Sequence, residues 1–407
     1  MKCRLAILST AFLCFGASTS AFANTLVVDN DFADCPQADY TSIHAAVLAA
    51  EPGDKILVCP GIYPETVLVN KPDLRIEAQA APGDVVLHGT GTPVPPFGFH
   101  LLNTTGVLVQ GFTVQGFSDS NIRIEGGSGN TLRKNITTAT PGSGIRVINS
   151  SANVVERNTS FANQGAGITV TSTVIAPEPA TSDNLIRHNE TYSNGQAGLQ
   201  VLIAPPAVGR LSGNVLFGND SHDNPNGIRN VQLANGSVIE NNRVFDNLRG
   251  IVVGNSTGVT VRNNRSERNV EFGIRLQNSA ANNLVEKNEV SENKQLLNGV
   301  VIGGDGIRLE SAVCPCPPGI PGPVVANIVQ LNVARRNSRD GIRVVDALAA
   351  ENTIERNVLL QNGEHDAHDE SVGPHTGGTA NHWINNRCGG EDEVGQDENR
   401  PGLCQSH

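Results

Sequence analysis

A short apolar alternation returns along this chain, each time behind a small residue. Gly98-Phe-His-Leu, Gly144-Ile-Arg-Val, Gly167-Ile-Thr-Val, Gly198-Leu-Gln-Val, Gly250-Ile-Val-Val, Gly273-Ile-Arg-Leu, Gly306-Ile-Arg-Leu and Gly341-Ile-Arg-Val share it, with Asn121-Ile-Arg-Ile and Gly227-Ile-Arg-Asn as close variants. Successive marks lie 23, 23, 23, 31, 29, 23, 23, 33 and 35 residues apart. Such period-2 stretches predict short strands with one face turned inward. Between the marks runs a second pattern: an aliphatic residue, two more residues, Asn, four residues, Asn. It pairs Asn158 with Asn163, Asn189 with Asn194, Asn219 with Asn224 and Asn242 with Asn247, then Asn264 with Asn269, Asn288 with Asn293, Asn332 with Asn337 and Asn357 with Asn362. Gly and Asn tolerate left-handed backbone angles and so mark turns. Asn side chains facing inward there can bond from rung to rung, which satisfies amides that would be costly to bury alone. The expectation is an all-β parallel solenoid of about 23-residue coils, each with three short strands. Ten marks predict about ten regular rungs, roughly 50 Å of cylinder at the usual strand spacing.

Two other solenoids fit less well. A leucine-rich repeat has a similar coil length, but its leucine consensus is missing and there are two Asn columns. A left-handed hexapeptide helix requires a period of six, which the chain lacks. Tyr40 to Ala50 has helical spacing, Pro52-Gly53-Asp54 stops it, and the helix is expected to cap the solenoid. After Gly341 the marks cease, and 363–407 is polar, Gly-rich and reads as a C-terminal cap.

At the start, Lys2 and Arg4 precede an apolar run from Leu5 to Gly16, and Ala21-Phe22-Ala23 offers a cleavage site. The expected division is therefore a signal peptide over 1–23, an N-terminal cap with the first coils over 24–97, β-helix repeats over 98–362 and the C-terminal cap. Cleavage leaves 384 of the 407 residues, and losing Lys2 and Arg4 takes the formal charge from −11 to −13. An acidic chain is a poor general binder of nucleic acid, and no later segment is apolar enough for a membrane helix. The one Met is the initiator, which argues against a thioether copper site. Six cysteines remain, an even number that in an exported protein favours disulfides. Their order pairs Cys35 with Cys59, Cys388 with Cys404, and Cys314 with Cys316, the last as a tight Cys-Pro-Cys ring.

Within each mark the apolar residues point in, so the residue between them points out. That outward column reads His100, Arg123, Arg146, Thr169, Gln200, Arg229, Val252, Arg275, Arg308 and Arg343, six of ten being Arg on an otherwise acidic protein. Rungs hold such neighbours about 5 Å apart, so like charges repel unless they are paired or bind an anion. Asp305 and Asp340 stand directly before their marks, and Glu310 lies two residues beyond Arg308. Paired carboxylates of this kind suit acid–base work or calcium binding. They also suit plain turn chemistry and solubilising ion pairs. The inserted residues, 171–183, 202–213, 294–304 and 311–326, all flank the marked strand and so rim its face. The run His365-Asp-Ala-His-Asp369, with His375 and His382, has residue types that suit zinc or calcium but meets no fixed ligand spacing. It is assigned to a solvated cap, with no metal.

From Tyr40 onward the chain resembles the pectin-lyase-like, right-handed parallel β-helix repeat proteins. The residues that carry the likeness are Ile43-His-Ala-Ala-Val, Pro52-Gly53-Asp54 and Ile56-Leu-Val-Cys-Pro-Gly61-Ile-Tyr63-Pro-Glu65. The Gly-Ile-Arg-Val and Asn-x4-Asn coils add to it, as do Asp366-Ala-His-Asp369, Asn381-His-Trp383 and Pro401-Gly-Leu-Cys404. The resemblance implies carbohydrate work: pectate and alginate lyases, polygalacturonases, mannuronan epimerases. The epimerases' Asp-Pro-His is absent, as are the Asn-Thr-Asp and Gly-His-Gly of polygalacturonases, and no lyase Asp and Arg set maps residue by residue. Two expectations follow. In one, the protein binds an acidic polysaccharide and cleaves it by β-elimination or otherwise modifies it, Arg229, Arg275, Arg308 and Arg343 holding carboxylates while Asp305, Asp340 and Glu310 supply a base or hold calcium. In the other, it is a non-catalytic solenoid whose charges are mutually paired.

Overall fold

The computed structural model describes residues 23–80, 83–173, 181–203, 211–297, 299–311, 322–389 and 396–405. Nearly all of the expected signal peptide, and Cys314 with Cys316, lie outside them. Three parallel sheets of 14, 13 and 13 strands wind around one core, each coil giving one strand to each sheet. One coil runs Thr131–Arg133, Ile136–Thr138 and Ser143–Ile148, and Val154–Glu156 then lands in register on Thr131–Arg133. This is the right-handed parallel β-helix expected from the repeats. The marked strands form a 13-stranded sheet, called here the mark sheet. Its rungs outnumber the ten marks because Val67–Val69, His365–Asp369 and Gln396–Glu398 join it without the glycine-led alternation.

The inward residues of the marks stack in columns. Ile145, Ile168, Leu199 and Ile228 are successive register partners and at most 1% exposed. Burying one such side chain contributes roughly 1.5–3 kcal/mol. The glycine that opens each mark serves close approach rather than a turn. A Cβ on Gly144 would sit 2.2 Å from Ser160 Oγ and 2.8 Å from Asn163 Nδ2.

The Asn ladders form as expected. Asn158 donates to Asn189 at 3.0 Å, Asn189 to Asn219 at 3.0 Å and Asn219 to Asn242 at 2.9 Å. The second column runs likewise, Asn194 to Asn224 at 3.1 Å and Asn224 to Asn247 at 3.2 Å. The left-handed turn, however, falls on the residue before the ladder Asn. Lys134, Arg157, His188 and Lys287 hold φ between 52° and 55° just ahead of Asn135, Asn158, Asn189 and Asn288. Such a conformation costs about 1–2 kcal/mol, which the ladder bonds offset. A third ladder, Asn130 to Asn153 to Asn184 to Asn214, escaped the sequence reading because Ser237 and Val259 interrupt it before Asn283.

The capping helix is Ile43–Ala49, shorter than its pattern because Ser42 caps it and accepts from the Ala45 amide. Glu65 accepts from the Ile43 and His44 amides, and Ile43, Ala46 and Val47 seal the core. Disulfides Cys35–Cys59 and Cys388–Cys404 staple the two ends, as their order along the chain suggested. Among the described residues no helix is long and apolar enough to cross a membrane. Of the insertions, Gln295–Leu297 and Val300–Gly303 pair antiparallel and lead directly into Asp305.

Candidate functional site

All ten outward positions share one register row, from His100 with Arg123 to Arg308 with Arg343, and the row continues onto His368. Outward is not the same as exposed, however. Thr169, Gln200 and Val252 are buried, and Val252 packs with Val231, Phe272 and Leu202 into an apolar patch on the outer side of the sheet. The patch divides the arginines into two groups.

In the N-terminal group, Arg123 binds Asp119 at 3.1 Å and Glu125 at 2.9 Å, and Arg146 reaches Asp119 at 2.9 Å. His100 contacts Glu125 at 2.9 Å. Both carboxylates lie at the solvent rim. Between the groups, Arg229 makes no ion pair among the described residues. In the C-terminal group, Arg308 reaches Glu310 at 2.9 Å and Asp305 at 3.4 Å, and Arg275 meets Glu310 at 3.5 Å over the Phe272 ring. Arg343 bonds Glu370 at 2.6 Å and Asp340 at 3.5 Å. The Nε atoms of Arg275, Arg308 and Arg343 are buried without a hydrogen-bond partner among the described residues.

Asp305 and Asp340 are both 0% exposed and stand one rung apart, three positions before Arg308 and Arg343. Burial pushes the Asp305 carboxyl up to about 6, against the pull of Arg308 and Arg339. Burial and then the Asp305 charge push Asp340 up to about 8, Arg339 opposing. Two like charges this deep are costly, and at neutral pH the pair keeps a proton. Asp305 Oδ1 has no hydrogen-bond partner among the described residues.

The next rung carries two histidines. His365 pairs in register with Asp340, and both its backbone amide, at 3.1 Å, and its Nδ1, at 3.2 Å, meet Asp340 Oδ1. His368 Nδ1 lies 3.1 Å from His365 Nδ1 and 3.6 Å from Asp340 Oδ2, while its Nε2 faces Glu370 at 3.2 Å. Burial, then the His365 charge, lowers the His368 pKa. The side chains of His365 and His368 are 19% and 12% exposed, against none for Asp340. The imidazoles therefore form the solvent edge of the cluster and the aspartates its floor.

The structure thus brings together Arg275, Arg308, Arg343, Asp305, Asp340 and Glu310, and leaves Arg229 outside the cluster. Asp305 and Asp340 are sealed from solvent, so a substrate reaches them only through other groups. Glu310 is held between two arginines, and Arg308 occupies the place between Asp305 and Glu310 that calcium would need. His365 and His368 correct their assignment to a solvated cap: their strand continues the mark sheet past residue 362. The signal lay in the Asn columns. Asp340 follows Asn337 by three residues, and His365 follows Asn362 by the same three.

Residues 93–222 and 179–314 match the family model described as right handed beta helix region. No curated protein matches the sequence. Among solved structures, the chain is similar to the GH136 lacto-N-biosidase from Eubacterium ramulus, at 12% identity and TM-score 0.59, over 82% of this chain and 67% of that one. It is similar to a PL6 alginate lyase in complex with a trisaccharide, at 14% identity and TM-score 0.51, over 95% and 88% of the two chains. It is also similar to pectate lyase Pel9A, at 16% identity and TM-score 0.50, over 74% and 82%. At these identities the likeness is one of fold, and together with the match over more than half of the sequence it makes this chain a member of the right-handed β-helix family.

Proposed function

We propose that this is an exported protein that binds a linear acidic polysaccharide along the C-terminal half of the mark sheet and cleaves it by β-elimination at the Asp340–His365–His368 cluster. The observation that carries this reading is the partly buried imidazole pair at the solvent edge, backed by a buried carboxylate and set at the end of an in-register arginine ladder. β-Elimination needs three things, and the cluster offers a group for each. An arginine neutralises the uronate carboxylate. The C–H bond beside that carboxylate breaks, its proton going to the imidazole cluster directly or through one water. Its electron pair forms a C=C bond as the bond to the glycosidic oxygen breaks, and that oxygen takes a proton from the second imidazole or from a water it holds. Asp305 and Asp340 act from behind, orienting the imidazoles and balancing charge. The ion pairs on Arg275, Arg308 and Arg343 are no bar, because a substrate carboxylate that replaces Glu310 or Glu370 exchanges one charge-assisted pair for another.

Three further facts support the reading. Sheet rungs give a linear polyanion a repeating set of cations. Two disulfides suit an oxidising compartment. The structurally similar proteins include a pectate lyase and an alginate lyase. One observation favours a non-catalytic solenoid instead: each cluster arginine already has a carboxylate partner. The test is incubation of the protein with a panel of polyuronates, followed by ultraviolet absorbance of unsaturated ends and by reducing-end release. Rising absorbance on one substrate is the expected result. Release without absorbance replaces the lyase with a hydrolase, and silence on both assays across the panel leaves the non-catalytic solenoid.

A further inference from the structure

We infer that Asp340, His365 and His368 form a binding site for one borderline divalent metal ion of the zinc class. The site goes beyond the polysaccharide reading and stands without it, since the ligand atoms converge whether or not a sugar is present. The two Nδ1 atoms are 3.1 Å apart, and Asp340 offers Oδ1 at 3.2 Å from one and Oδ2 at 3.6 Å from the other. An ion about 2.1 Å from both nitrogens, the usual zinc–imidazole distance, would see them at an angle of about 95°. These are the separations of ligands around a shared ion.

Protons satisfy the same atoms poorly. The two Nδ1 atoms cannot both carry a proton at this separation, so at least one presents its lone pair to the cluster. A second observation points the same way. His368 Nε2 lies 3.2 Å from Glu370 Oε1, so the far side of the ring donates to a carboxylate and the Nδ1 lone pair is turned into the cluster. That carboxylate behind a ligating histidine is the usual outer support of a metal site. Arg343 and Arg339 stand 3.5 and 3.8 Å from Asp340 Oδ2 and oppose a cation, but Glu370 and Glu364 pair with them in turn, and Asp305 adds a further buried carboxyl. Two nitrogens and one carboxylate suit a borderline ion and not calcium, which takes six to eight oxygens. Three protein ligands leave a coordination position open, and the imidazoles lie at the solvent edge, so that position faces outward.

The full chain, dialysed against chelator, is titrated calorimetrically with zinc chloride, and with calcium chloride as the control. A separate group, exposed Glu351 with half-buried His375 and His382, could also take zinc, so the titration is run on the His375→Ala, His382→Ala background. The expected result is one zinc per chain and no calcium. His365→Ala and His368→Ala each weaken zinc at least tenfold. Glu370→Gln, which removes only the outer carboxylate, weakens it about tenfold. Circular dichroism of each zinc-free variant checks that the coil is intact, and the visible spectrum of the cobalt form reports mixed nitrogen and oxygen ligation directly. No zinc on that background, or zinc binding indifferent to His365 and His368, overturns the site. Zinc bound here by a chain that leaves every polyuronate intact upholds the site and removes the proposed lyase activity, whereas cleavage by a chain that binds no zinc does the reverse.

Discussion

Arg123 and Arg343 occupy the same row of the same sheet, yet they live in different chemistry. Arg123 and Arg146 share Asp119, and Arg123 also pairs with Glu125, side chains 34% and 31% exposed, while Arg308 and Arg343 reach back to Asp305 and Asp340, which are not exposed at all. The repeat dictates the row and the residue type. What differs is the depth of the carboxylate and the next rung, where the C-terminal group meets His365 and His368. A rim pair adds little to stability and asks little of the fold. A buried carboxyl pair costs several kcal/mol unless partners compensate, and perturbed acids beside imidazoles gather at functional sites. The contrast therefore locates chemistry at the C-terminal end.

The sharpest way to break the contrast is to exchange histidines between its two ends. His368→Ala is expected to lower polyuronate cleavage by about a hundredfold or more, the usual worth of a proton-transferring group. His100→Ala, at the other end of the same row, is expected to change it less than twofold. Equal losses in a rate assay would erase the distinction. The next largest effect is shared by both regions. Asn242→Ala leaves the Asn219 backbone amide without its acceptor and takes one of two acceptors from the Asn219 side-chain amide, which keeps the Ile186 carbonyl, at about 1–3 kcal/mol for the orphaned group, and chemical denaturation should show it wherever along the ladder the cut is made. A smaller effect belongs to Arg229. Arg229→Glu is expected to raise KM for a polyuronate about tenfold and to leave the melting temperature unchanged, because no described carboxylate depends on it.

The smallest effect sharpens the N-terminal side. Burial pushes the Glu125 carboxyl up, but Arg123 and His100 outweigh it and hold it below its ordinary 4.5. A depressed carboxyl contributes stability that is present above the unfolded-state value and lost as the pH falls below it. Glu125→Gln should therefore lower the melting temperature slightly at pH 7 and progressively less as the pH falls below 4.5, by less than about 1 kcal/mol because the group is partly exposed. A loss that does not shrink as the pH falls would assign Glu125 a packing role instead.

Much of this was legible in the chain. The marks placed Arg275, Arg308 and Arg343 in one row, the Asn pairs placed two ladders, and cysteine order paired the ends. These are register properties, set by local spacing. Depth was not legible. Asp305 and Asp340 sit before their marks like any turn residue, and only the stacking of whole coils shows that their carboxyls are closed over. His365 and His368 were missed for a related reason. Their strand lacks the glycine-led alternation, because Asp366 and Ala367 stand where Gly341 and Ile342 stand one rung earlier. The third Asn ladder was hidden by Ser237 and Val259, two interruptions that leave the backbone register untouched.

The most direct measurement is diffraction from crystals soaked with a short oligouronate. Difference density is expected over Arg275, Arg308 and Arg343, with a sugar ring against His368 and nothing over Arg123 and Arg146. Density at the N-terminal arginines, or a sheet face left bare at saturating oligouronate, would contradict a C-terminal reaction centre.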